Sequence, residues 1–130
     1  MPVHPNGALL RSYYEAVARG DLEAMRQAYA DDIVLHAPPG SPLAGDYHGK
    51  DEVFEFLGTI QERAGGTFRL EVHDVLANDE HGVALLHANA HREDAVLDDN
   101  VVHVLHLKDG KITEIWGHWG DQHAYDAFFA

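Results

Sequence analysis

Residues 96–119 read VLDDNVVHVLHLKDGKITEIWGHW, two β-rich runs either side of Asp109-Gly110, and this stretch decides the fold. Aspartate-glycine between two such runs is a hairpin signal, because both residues tolerate the positive φ that a tight turn needs. Working backwards, Val83–Arg92 and Thr67–Ala77 are two further β-rich runs. Upstream of them the period changes. Lys50 to Arg63 places Val53, Phe54, Leu57 and Ile60 at helical spacing, and Gly65-Gly66 ends the run.

Nearer the start, Leu9, Leu10, Tyr13, Tyr14 and Val17 mark a helix over Leu9–Ala18 that Gly20 stops. Asp21 is a good N-cap for a second helix, with Leu22, Met25, Ala28 and Tyr29 on one face before Asp31-Asp32 ends it. Ile33–Ala37 then reads as a short strand stopped by Pro38-Pro39-Gly40, with a loop running on to Gly49. Asp121 to Phe129 reads as a last helical turn. Helices first and a meandering antiparallel sheet after them is an α+β arrangement, with the helices on one face of the sheet.

The 130 residues suit one domain, residues 1–130, and a hydrophobic share of 45% suits a globular chain. With 22 acidic against 9 basic side chains, the net charge of −13 opposes nucleic acid as a partner. No apolar run approaches the roughly 20 residues of a membrane span, and the start Met1 to Pro5 lacks a leader's basic and apolar regions. The absence of cysteine excludes thiolate chemistry and fits a cytoplasmic setting.

Several phrases occur in a telling order: Tyr13-Tyr14, Ala18-Arg19-Gly20-Asp21-Leu22, Tyr29-Ala30-Asp31-Asp32-Ile33, His36-Ala37-Pro38-Pro39-Gly40, Ser41 to Gly49, and Asp109 to Trp116. In these the chain resembles the SnoaL-like and ketosteroid isomerase-like branch of the nuclear transport factor 2-like superfamily. The resemblance implies a cone-shaped curved sheet wrapped by three helices (a cystatin-like α+β barrel), an apolar pocket, and a homodimer through the outer sheet face. It also implies acid/base work on a small apolar carbonyl compound with no cofactor, by an isomerase, cyclase or dehydratase-like enzyme. A non-catalytic ligand-binding or accessory module is the alternative.

Similarity to ketosteroid isomerases puts Tyr13 at their oxyanion-donor tyrosine and His103 at their second donor. Ala37 stands where they carry the aspartate base. His36 and Asp121 are the substitutes within reach, and similarity to SnoaL-type cyclases favours Asp121 working with His103. Asp121 is equally suited to cap the last helical turn, and His36 lies on the opposite strand face from Ala37. A three-residue Lys108-Asp109-Gly110 loop would put His103 on a face with Ile115, Gly117 and Trp119. A two-residue Asp109-Gly110 turn would put it with Trp116 and His118, and the first arrangement is preferred because it matches the hairpin of the family the chain resembles and gives the pocket apolar walls. The expected site is therefore Tyr13, His103 and Asp121, with His36, Phe54, Leu57, Leu105 and Trp119 contacting ligand. Of the 11 histidines, His87 and His91 share a strand face that His106 and His118 could join. The resemblance implies that this face is the outer, dimer-forming one, so polar packing between two copies is a better account of them than a metal site.

Overall fold

The computed structural model describes residues 4–130; Met1, Pro2 and Val3, part of the stretch read for a leader, lie outside them. In chain order the elements are α1 (Pro5–Arg19), α2 (Leu22–Ala28), β1 (Tyr29–Ala37), β2 (Gly45–His48) and α3 (Gly49–Arg63). They continue with β3 (Arg69–Ala77), β4 (His81–Arg92), β5 (Ala95–Lys108), β6 (Lys111–Trp119) and α4 (Gln122–Phe128). No helix among the described residues is long and apolar enough to cross a membrane.

Local chemistry sets the helix ends. Pro5 occupies the first turn of α1, where its missing N–H costs nothing, and His4 Nδ1 accepts from the Asn6 amide at 3.1 Å. Gly20 ends the helix at φ 69°, and the Asp21 carboxylate accepts from the Ala24 amide to start α2. The second helix ends at Ala28, one residue short of the apolar spacing, because Tyr29 already lies in β1.

The strands form one curved, unclosed sheet in the order β2-β1-β6-β5-β4-β3. Two details correct the sequence reading. Gly45–His48, read as loop, pairs with β1 as an edge strand, and β1 runs parallel to β6, so the sheet is not a pure antiparallel meander. The reason is shared: β2 is too short to show a period, and the β1–β6 partnership joins opposite ends of the chain.

The β5–β6 hairpin combines features of both expected turns. Lys108 pairs with Lys111 across Asp109 (φ 53°) and Gly110 (φ 74°), which is the two-residue turn. A register shift between His106 and Leu107 follows, so that Leu107 pairs with Ile112 but His106 pairs with Glu114. The extra residue on β6 restores the other parity, and His103 lies opposite Gly117 on the inward face. The expected inward face of His103 is thus reached through a two-residue turn and a bulge rather than a three-residue loop.

Inward side chains of β4 and β5, among them Leu86, Val101 and Leu105, pack with Leu10, Tyr14 and Val53 as the main core. A smaller cluster around Leu97, Tyr125, Phe128 and Phe129 seats α4 on the sheet. Gly82 lets α1 approach: a Cβ there would lie 2.3 Å from Leu10 Cδ1, and Leu10 is fully buried. Gly82→Ala is expected to lower stability by about 1–3 kcal/mol, the usual cost of overpacking, measured by urea denaturation.

Candidate functional site

Between the helices and the concave side of the sheet lies a cavity of about 700 Å³, counting the part open to solvent. Its wall is mostly apolar, from Val17, Met25, Leu35, Phe56, Leu57, Ile60, Phe68, Leu70, Ile115 and Trp119. Polar side chains on it are few, and the central ones are Tyr13, Tyr14 and His103. Helix α1 supplies both tyrosines, whose rings meet edge to face at 4.8 Å, and β5 supplies the histidine.

The Tyr14 hydroxyl and His103 Nδ1 are 2.7 Å apart. Either tautomer of the ring satisfies this contact: the phenol donates to a bare Nδ1, or Nδ1–H donates to the phenol oxygen. His103 makes no second side-chain hydrogen bond among the described residues. No shut-off side-chain nitrogen or oxygen there lacks a partner, so Nε2 keeps accessible surface, and His103 lines the cavity. Across the hairpin, a Cβ at Gly117 would stand 3.9 Å from this Nε2. Glycine leaves that edge of the ring open.

Burial fixes the charge states. It pushes His103 down to about 4, with a smaller push from His118, so the ring is neutral at physiological pH. It pushes Tyr13 up to about 12, offset in part by a 2.6 Å hydrogen bond with the Tyr29 hydroxyl. Tyr14 is raised well above the usual tyrosine value, again by burial first and by Tyr13 second. The inner wall thus presents uncharged donors and acceptors in an apolar surround.

The other expected site residues divide. Leu57 and Trp119 line this cavity, Trp119 lying 4.6 Å from the Tyr125 ring. Leu105 is fully buried in the core, and Phe54 lines an adjoining opening. His36 sits at the cavity's end with both ring nitrogens occupied, by Asp46 and Glu114 at 2.8 Å each, and its ring stacks on Trp116. Asp121 is exposed; its carboxylate accepts from the Ala124 amide and caps α4, and it is not among the cavity-lining residues. Ala37 does line the cavity, so a methyl stands where a carboxylate would have faced it.

A family model described as a SnoaL-like domain matches residues 10–115. The chain belongs to the SnoaL-like family. It is 33% identical over 123 residues to an uncharacterized protein of Mycobacterium tuberculosis, covering 94% of each chain. Among solved structures it is similar to Bal32a from a soil-derived mobile gene cassette, at TM-score 0.92 and 27% identity over 97% of both chains. It is also similar to a cystatin-like protein of unknown function from Xanthomonas campestris, at TM-score 0.89 and 27% identity, covering 95% of this chain and 96% of that one.

Two features of this SnoaL-like cavity escape the sequence. Tyr14, rather than Tyr13, reaches His103, because adjacent residues on a helix point about 100° apart and only the helix's rotation on the sheet selects between them. Tyr29, read as the end of a helix, holds Tyr13. Among the described residues no group of three or more His, Cys, Asp or Glu side chains is placed to hold a metal ion. His87 bonds with Asn100 and Asp98, while His106 packs on Trp116 and His81.

The unfolded chain protonates the His103 ring near pH 6.5 and the folded chain only near 4. Stability conferred by the neutral ring is therefore complete above pH 6.5 and lost as pH falls toward 4, by up to about 3 kcal/mol. Urea titrations at stepped pH should show that His103→Gln is less acid-sensitive than the parent over this window.

Proposed function

We propose that this SnoaL-like protein takes a small, largely apolar carbonyl compound into its cavity, uncharged at the end that enters, and moves a proton on it without a cofactor. The Tyr14–His103 pair carries the chemistry, and Tyr13 is a second hydroxyl on the wall. The observation behind this reading is the 2.7 Å contact at Nδ1 with the opposite nitrogen open to an apolar cavity.

With Nδ1–H donating to the Tyr14 oxygen, Nε2 bears a lone pair. It accepts the proton from the carbon beside the carbonyl, and that C–H electron pair becomes the new C=C bond. The Tyr14 O–H proton passes to the carbonyl oxygen, and Nδ1 returns its own proton to Tyr14. The product is an enol, the phenol is restored, and the ring has changed tautomer. Neither imidazolium nor phenolate forms, which suits a histidine whose pKa burial lowers and a tyrosine whose pKa burial raises. Reprotonation at another carbon gives isomerisation.

A second reading, binding without turnover, is favoured by one observation: Asp121 caps α4 and Ala37 occupies the wall, so among the described residues no carboxylate lines the cavity. On either reading we take the assembly to be a dimer through the outer sheet face, where Leu85, Val102, Val104 and Trp116 stand in neighbouring rows.

Deuterium uptake beside the carbonyl of cyclic enones and ketones, followed by NMR in D2O, separates the readings. Exchange above the buffer rate is expected, reduced about 10²–10⁴-fold in His103→Gln and in Tyr14→Phe. Binding without exchange supports the second reading, and absence of binding contradicts both.

A further inference from the structure

The inner cavity adjoins a second chamber between α2, α3 and β3, and the two share Val17, Met25, Leu57, Ile60, Phe68 and Leu70. The chambers differ in chemistry. The inner one offers uncharged hydroxyls and an imidazole, whereas the outer one has Glu23, Arg26 and Gln61 on its wall.

Arg26 is the cation at this mouth, and it has capacity to spare. Its guanidinium lies 4.8 Å over the Phe54 ring, and its salt-bridge partner among the described residues, Asp51, is 3.5 Å away on a side chain 94% exposed. Such a pair is loose and readily exchanged, and a guanidinium carries five N–H donors. The other two polar groups are engaged, Glu23 with the Gln27 amide and Gln61 with Phe68.

Gly58 is a separate pointer. It lies inside α3, has no positive φ, lines the outer chamber, and a Cβ built on it meets nothing within 4 Å. Neither backbone conformation nor packing calls for glycine there, although glycine is among the poorest residues in a helix interior. Its effect is to keep the outer chamber wide.

We propose that the outer chamber is a second subsite and that the ligand is an elongated amphiphile, an apolar chain running past Gly58 and ending in a carboxylate at Arg26. This rests on the reading of the inner cavity as a ligand site. It makes Gly58 a determinant of ligand length and Arg26 a determinant of ligand charge, neither of them catalytic.

Calorimetric titration with dodecanoate, dodecanol and a small cyclic enone tests it on the parent, Gly58→Leu and Arg26→Gln. The parent should prefer dodecanoate to dodecanol. Gly58→Leu, with an unchanged or raised Tm, should weaken dodecanoate about tenfold or more, since each methylene shut out of an apolar site is worth about fourfold. Arg26→Gln should abolish the preference for the acid while leaving dodecanol unchanged. Equal binding of acid and alcohol by the parent, or a Gly58→Leu variant that binds dodecanoate as before, overturns the second subsite. Both variants should bind the enone like the parent; an enone that fails to bind the parent counts against the inner cavity instead.

Discussion

The hydrogen bond between the Tyr14 hydroxyl and His103 Nδ1 ties the first helix to the middle of the sheet across an interior that is otherwise apolar. Leaving either group buried without a partner would cost more than the bond itself returns. Together they satisfy each other, fix the imidazole's orientation, and leave one nitrogen facing the cavity. Much else serves this contact. Gly82 brings α1 close to the sheet, Gly117 clears space beside the ring, and the irregularity near Leu107 turns His103 inward.

The same residue type behaves in opposite ways on the two sides of the sheet. His103, inside, is held neutral because burial penalises its charged form. For His36, burial also pulls the pKa down, but hydrogen bonds from the ring to Glu114 and Asp46 outweigh it and favour the protonated form. Charge is thus concentrated on the outer face and the rim, and the inner cavity is a place for uncharged groups. A ligand that enters it must leave any charge at the mouth.

Much of the architecture was legible in the chain. The Gly20-Asp21 corner and the tyrosine pair on the first helix follow from capping chemistry and period. What escaped depends on contacts distant in sequence. The pairing of β1 with β6 and of β2 with β1 has no local signature. The choice between Tyr13 and Tyr14 depends on a helix rotation that packing sets, and the hairpin register on a bulge that no turn residue announces. Asp121 shows the limit of resemblance: its position relative to the last strand suited a role in the cavity, but an aspartate just ahead of a helix finds amide donors there first.

The ring of His103 is where the account is most exposed. Nitrogen-15 NMR of its imidazole at pH 5.5, with and without a bound carbonyl compound, reads protonation state and tautomer directly. The account predicts a neutral ring with a single N–H in the free protein and a marked shift at Nε2 on binding. A doubly protonated ring at that pH, or an Nε2 signal indifferent to ligand, would contradict it.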